Sequence, residues 1–167
     1  MGAILQSGNV TPGHLGIWTT DGVLQDGGPI LASQKVLCSL RQASFNTTAD
    51  QPLLLPPAIS AFQLTGIIIT NASTPLSVAA GGFYPQTSKG GSAIVASSQV
   101  YSTLTNSNLL LQATLTAFAQ TARFSGNNLS LVLNANNQYG FALYFSLTTA
   151  QGAAATADIY VIGIDLS

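Results

Sequence analysis

The chain has 167 residues, with four Lys or Arg, five Asp and no Glu, so that charged residues make up 5% of it instead of the roughly 25% of a typical soluble domain. A formal net charge of −1 excludes nucleic acid as a partner, because affinity for phosphates grows with the number of Lys and Arg contacts. No apolar run reaches the roughly 18 residues of a membrane span, and no basic segment precedes an apolar one at the N-terminus, so we expect neither a membrane partner nor a signal peptide.

The first element that the sequence predicts is a β-hairpin within residues 11–28. Asp21-Gly22 lies between the short extended runs GIWTT and VLQD. An Asp-Gly pair in this setting is typical of a two-residue turn, because both central positions need a positive φ. A two-stranded hairpin is only marginally stable in water, so we expect it to dock on a neighbouring subunit, on a larger surface, or back on its own domain.

The next residues connect this hairpin to the rest of the chain. Residues 30–42 are compatible with a strand or a short helix. Residues 43–58 read as an extended linker, because their three prolines lack amide donors and disfavour the helical region. The sequence therefore predicts an N-terminal arm and linker over residues 1–58 and a β-domain over residues 59–167.

Strand patterns dominate the predicted β-domain. Runs rich in Leu, β-branched and aromatic residues occupy residues 62–70, 108–118, 127–134, 139–149 and 157–166. Alternate residues within 141–147 are large and apolar, as a pleated strand requires, and Leu129, Leu131 and Leu133 repeat this pattern. Only residues 97–104 are compatible with one or two helical turns.

Strands of this number need two facing layers to bury their apolar faces. We therefore predict an all-β fold, a jelly-roll-like β-sandwich with an extended N-terminal arm that contains a β-hairpin. The long connection over residues 78–98 favours a jelly roll, and so does the absence of the paired cysteines and core tryptophan of an immunoglobulin domain.

The sequence offers no convincing catalytic or metal site. His14 is the only histidine and Cys38 the only cysteine, whereas a metal site needs at least three convergent ligands. Asp158 and Asp165 flank the last predicted strand on opposite faces, so they do not form a carboxylate pair. We expect no catalytic residues, no metal, no cofactor and no enzymatic activity.

The remaining prediction is a partner-binding site on the hairpin. Low charge, an aromatic residue on a hairpin that cannot stand alone, and a proline-rich tether together describe an arm that attaches to another protein. The candidate partner-binding residues are His14, Trp18, Asp21 and Gly22, with Trp18 as the expected energetic centre because Trp is enriched at binding hot spots.

Three segments of the chain resemble parts of one known family. Residues 7–28, SGNVTPGHLGIWTTDGVLQDGG, resemble a segment near the start of small structural proteins of tailed bacteriophages. KGGSAIVASSQVYSTLT and LYFSLTTAQGAAATADIYVIGIDLS, residues 89–105 and 143–167, are similar to their β-rich domain.

The resemblance implies a virion component made in the host cytoplasm. Its expected function is that of a capsid decoration or cement protein on the outer capsid surface, which binds and stabilises the major capsid shell. The expected partners are the major capsid protein and further copies of the chain, as a homodimer or homotrimer. The alternative is a tail or neck appendage or head-fibre protein with a receptor- or carbohydrate-binding β-sandwich, for which we expect an exposed groove lined by Tyr84, Tyr101 or Tyr139.

Overall fold

The computed structural model describes residues 33–133 and 136–167, and within residues 1–32 it describes the backbone of three strands. The chain divides into two compact units, Met1–Ala32 and Ser33–Ser167. Among the described residues, no helix is both long enough and apolar enough to cross a membrane.

The first unit contains a small three-stranded sheet. Its strands are β1 (Leu5–Gln6), β2 (His14–Trp18) and β3 (Val23–Pro29), in the spatial order β1-β3-β2. β2 and β3 pair antiparallel, which confirms the predicted hairpin, and β1 pairs with β3 in parallel.

The observed register of the hairpin pairs Trp18 with Leu24. A two-residue turn at the Asp-Gly pair would instead place Trp18 opposite Gln25, so the register differs by one residue from the predicted one. Asp21 and Gly22 lie outside the described residues.

The second unit is a β-sandwich. Within residues 33–133 and 136–167 its elements are β4 (Lys35–Ser44), β5 (Gln51–Leu54), β6 (Ala61–Thr70), β7 (Ala80–Tyr84), β8 (Leu110–Gln112), α1 (Ala117–Thr121), β9 (Arg123–Ser125), β10 (Ser130–Leu133), β11 (Tyr139–Thr149) and β12 (Thr156–Asp165). Successive strands alternate between two antiparallel sheets for most of this length, which is a jelly-roll-like strand order. The predicted all-β sandwich is confirmed.

In each sheet, two short strands pair one after the other with the same edge of a long strand. In the five-stranded sheet the order is β4-β12-β6, and the outer edge of β6 pairs with β9 near its start and with β8 near its end. In the four-stranded sheet β11 pairs with β5 on one edge and with β10 and β7 on the other. Each pair of short strands therefore leaves a junction along the edge that it shares.

The core lies between the inner faces of the two sheets. Buried aliphatic side chains surround an aromatic cluster, in which the ring of Phe145 lies 5.0 Å from the rings of Phe45 and Phe83. Tyr101 packs edge-on against Phe45, and its hydroxyl donates a hydrogen bond of 3.0 Å to the carbonyl oxygen of Gly81. The polar atom of this fully buried side chain is thereby satisfied.

The period-two pattern of β11 is confirmed, because alternate side chains of this strand belong to the core cluster. Leu143, Phe145 and Leu147 face the core. The opposite face is covered as well, since Ser146 is fully buried and its hydroxyl lies 3.4 Å from the carbonyl oxygen of Thr48, in the loop between β4 and β5. β11 is thus a central strand with both faces buried over this length.

The division between the units falls between Ala32 and Ser33, whereas the sequence predicts a boundary near residue 58. β4 pairs along β12 and β5 pairs with β11, so residues 33–58 belong to the sandwich. Pro52 indicated a linker, but it lies in β5, an edge strand, where a missing amide donor is tolerated.

Between residues 97 and 121 the observed elements also differ from the predicted ones. Residues 97–104 form no helix, and Val100 instead forms a bridge to β7. The strand predicted over residues 108–118 is limited to β8. α1 follows it because Thr116 caps the helix, its hydroxyl oxygen accepting a 3.2 Å hydrogen bond from the backbone N–H of Ala119.

Candidate functional site

The predicted partner-binding residues belong to the first unit. His14 and Trp18 are the first and last residues of β2, and both are paired with β3. Asp21 and Gly22, together with the side chains of His14 and Trp18, lie outside the described part of the chain. The role of these four residues stays a prediction.

Two ion pairs lie on β4 and β12 of the five-stranded sheet. Lys35 and Asp165 approach to 2.7 Å at one end of this strand pair, and Arg41 and Asp158 approach to 2.6 Å towards the other end. Each carboxylate therefore has its own cationic partner, and the two carboxylates do not converge on a common site.

Asp158 is built into a bulge of β4. The register between β4 and β12 shifts at Arg41 and Gln42, and Gln42 has a positive φ of 53°. The Asp158 carboxylate accepts hydrogen bonds from the Gln42 N–H (2.8 Å), the Arg41 guanidinium (2.6 Å) and the Asn71 amide (3.1 Å). Because the bulge frees a backbone N–H, the carboxylate supplies the acceptor that the strand ladder no longer provides.

The ionisation of these carboxylates follows from their contacts. Burial alone would raise the pKa of the Asp158 carboxyl, but the hydrogen bonds from Gln42, Arg41 and Asn71 outweigh it and hold the pKa below its usual value. The hydrogen bond from Lys35 is the main cause that lowers the pKa of Asp165 to about 2. A general acid or base needs a pKa near the working pH, so neither carboxylate is suited to proton transfer at neutral pH.

Cys38 is unsuited to nucleophilic chemistry. Its side chain is buried in the core, its Sγ lies 3.9 Å from the carbonyl oxygen of Leu53, and burial raises the pKa of the thiol to about 12. The thiolate is the reactive form of cysteine, and this environment disfavours it. Across the described residues, no three His, Cys, Asp or Glu side chains are grouped so that they could hold a metal ion.

The tyrosines do not form the groove expected for the carbohydrate-binding alternative. Tyr84 and Tyr101 are buried, and only Tyr139 is largely exposed. The Tyr101 hydroxyl is already bonded within the core. Tyr84, Tyr101 and Tyr139 therefore do not line a common exposed groove.

An uncovered apolar surface lies at one end of the four-stranded sheet. Leu131 and Leu133 of β10 lie directly opposite Phe141 and Tyr139 of β11. Paired residues point to the same face of a sheet, and Phe141 packs against the core, so all four belong to the inner face. Nevertheless Leu131, Leu133 and Tyr139 are 57%, 49% and 66% exposed. We call these three residues the β10–β11 ridge.

The sequence pattern predicts that the leucines of the ridge lie on one face of a strand, but it does not predict that they are exposed. Leu129, Leu131 and Leu133 alternate as a half-buried strand requires, and Leu129 is indeed buried, at 7% exposure. The two that follow it are exposed because the inner face of β10 and β11 continues past the part that is covered. Clustered exposed apolar side chains are typical of protein interaction sites.

Comparisons with known proteins identify no relative. No protein-family model, no curated protein and no solved structure matches the chain.

Proposed function

We propose that this protein is a structural component of a bacteriophage virion, a capsid decoration or cement protein that binds the outer surface of the major capsid shell. The observation that carries the proposal is the β10–β11 ridge, where Leu131, Leu133 and Tyr139 present the inner face of a sheet to solvent. Covering such a surface with a protein partner removes apolar area from water, which favours association.

The charge distribution supports a binding role. The ion pairs Lys35–Asp165 and Arg41–Asp158 neutralise four of the few charged residues of the chain. A nearly neutral protein experiences little electrostatic repulsion from its own copies, so many copies can occupy neighbouring positions on one shell. Self-association as a dimer or trimer is part of the proposal.

The proposed mechanism is mechanical stabilisation of the shell. Fully burying a Leu side chain contributes roughly 1.5–3 kcal/mol, so a ridge of three large apolar residues supplies a modest gain at each site. That gain is repeated at every joint between shell subunits that the protein bridges. The proposal therefore requires many sites per virion and no chemical step.

The ridge can be tested with shells that lack the protein. We expect the double variant Leu131→Ser, Leu133→Ser to bind such shells at least tenfold more weakly than the wild type in a co-sedimentation titration, because it removes most of the apolar surface. Val78→Ser is the matched control, since Val78 is 56% exposed and lies outside the ridge. Circular dichroism establishes that both variants are folded.

Equal binding of the double variant and the wild type would exclude the ridge as the attachment surface.

Electron microscopy of virions carrying a labelled copy distinguishes the head location from the alternative tail or neck appendage. Label on the tail alone would contradict the decoration role.

A further inference from the structure

A cleft opens on the edge of the five-stranded sheet, at the junction between β8 and β9. β9 pairs with β6 as far as Gln63, and β8 pairs with it again from Ile68. β12 pairs with the other edge of β6 here, but among the described residues no strand pairs with this edge between Gln63 and Ile68. The segment 113–116 together with α1 spans this gap. The cleft has a volume of about 360 Å³, within the range of roughly 300–1,000 Å³ that small-molecule sites occupy.

A β-bulge places Thr65 among the residues that line this cleft. Leu64 is paired with Gly163 and Gly66 with Ile162, so Thr65 is the extra residue of β6. Thr65 lines the cleft, and its Oγ1 is buried without a hydrogen-bond partner. An unsatisfied buried hydroxyl costs free energy, so its presence calls for a partner.

The other lining residues are uncharged. They are Gln112, Ala113, Thr114, Leu115 and Gln120. The side-chain amide nitrogen of Gln120 donates a hydrogen bond to the carbonyl oxygen of Leu115 (3.1 Å). This bond does not use the side-chain amide oxygen of Gln120, which is an acceptor. Gln112 is exposed to solvent. The lining thus combines amides and hydroxyls, which both donate and accept, with the apolar side chains of Ala113 and Leu115.

We propose that this cleft binds a neutral polyhydroxylated ligand, one or two sugar residues of a carbohydrate. A charged ligand would lose hydration without meeting an opposite charge, and an apolar ligand would leave the Thr65 hydroxyl unsatisfied. Sugar hydroxyls donate and accept at adjacent positions, which suits the amides of Gln112 and Gln120. Leu115 offers an apolar surface for the C–H groups of a ring.

An extended peptide fits the site less well. A peptide that adds to a sheet needs a row of free backbone groups along the edge. Here the edge of β6 is already paired at Ile67, whose carbonyl oxygen accepts a hydrogen bond from the Ala113 N–H (2.9 Å). The row of free backbone groups is therefore short, and the cleft offers a ligand mainly its side-chain groups.

The test uses the full chain in solution and does not depend on capsid binding. Glucose, galactose, mannose, N-acetylglucosamine and N-acetylgalactosamine, with their disaccharides, are titrated to millimolar concentration while backbone amide NMR shifts are followed. We expect at least one to shift the resonances of residues 112–120. Thr65→Val and Gln112→Ala should each weaken that binding about tenfold, the equivalent of one lost hydrogen bond. Gln86→Ala, an exposed glutamine outside the cleft, should leave it unchanged.

A second readout separates a binding role of Thr65 from a structural one. Valine has nearly the shape of threonine without its hydroxyl, so we expect Thr65→Val to leave the free energy of unfolding unchanged or to raise it while sugar binding falls. The proposal is overturned if no saccharide shifts the cleft resonances, if binding survives both variants, or if only peptides bind there. A failure of this test leaves the proposed attachment through the β10–β11 ridge standing, because that surface shares no residue with the cleft.

Discussion

Asp158 holds together two positions where the backbone leaves its regular path. It accepts hydrogen bonds from Gln42, in the bulge of β4, and from Asn71, directly after β6. Both residues have a positive φ, 53° and 55°, a conformation that costs free energy in residues other than glycine. A single buried carboxylate therefore stabilises two strained positions and an ion pair with Arg41.

We expect Asp158→Asn to lower the free energy of unfolding by about 2 kcal/mol at neutral pH, since hydrogen bonds to a charged group contribute roughly 1.5–3 kcal/mol. The pKa of Asp158 is lower in the folded protein than its ordinary value of about 3.9. Its contribution is therefore complete above that pH and is lost as the pH falls through the folded pKa. Urea unfolding at several pH values should show the difference from the wild type narrowing below about pH 4.

Asp165→Asn is the control for this experiment. Asp165 is also ionised, but its ion pair with Lys35 lies at the exposed end of the strand pair, so we expect a smaller loss of stability. A gap between the wild type and Asp158→Asn that stayed constant down to pH 2 would show that the carboxylate charge is not what stabilises the bulge.

At the scale of elements, regular long strands are predictable from sequence and short irregular ones are not. The prediction for residues 139–149 coincides with β11, and those for 62–70 and 157–166 differ from β6 and β12 by one residue. These strands are long, and their apolar residues recur with the period of the pleat. The sequence does not predict β5, which contains a proline, or β7, which contains the adjacent Gly81 and Gly82. Proline and glycine are both depleted in strands.

The candidate sites were less predictable for a related reason. The ridge depends on where the covered part of the sheet ends, and the cleft depends on which short strands share one edge of β6. Both are consequences of tertiary pairing, which no local pattern encodes. Thr65 lies within a correctly predicted strand, yet only the observed register identifies it as a bulge.

β7 gives a direct test of the close packing that its glycines allow. Gly82 is buried, and a Cβ at this position would overlap the carbonyl oxygen of Val95, which forms an antiparallel bridge to Phe83 of β7. We expect Gly82→Ala to lower the free energy of unfolding by about 1–3 kcal/mol, as overpacking does, measured by urea denaturation.

Gly66→Ala provides a matched control in β6. A Cβ at Gly66 would lie 3.4 Å from the amide nitrogen of Gln112, the end of a flexible side chain, so we expect little change in stability. If the two alanine variants were equally stable, the close backbone approach at Gly82 would not be the reason for that glycine.

At the scale of the whole molecule, the two units differ in how their stability can be explained. The unit Ser33–Ser167 contains both sheets of the sandwich and the aromatic cluster around Phe145. In the unit Met1–Ala32 the described residues form a three-stranded sheet of short strands, and so small a structure is marginal in water without further support. Attachment to a partner is one source of that support.

We therefore expect residues 33–167, produced without the first unit, to unfold cooperatively with a thermal midpoint close to that of the full chain.

The same truncation should bind shells at least tenfold more weakly if the first unit contributes an anchor. Trp18→Ala in the full chain should reproduce most of that loss, because truncating a tryptophan hot spot costs about 2 kcal/mol or more. Calorimetry measures the thermal midpoint, and co-sedimentation measures binding to shells. Unchanged binding by the truncated protein would remove His14, Trp18, Asp21 and Gly22 from the mechanism and leave the β10–β11 ridge as the attachment surface.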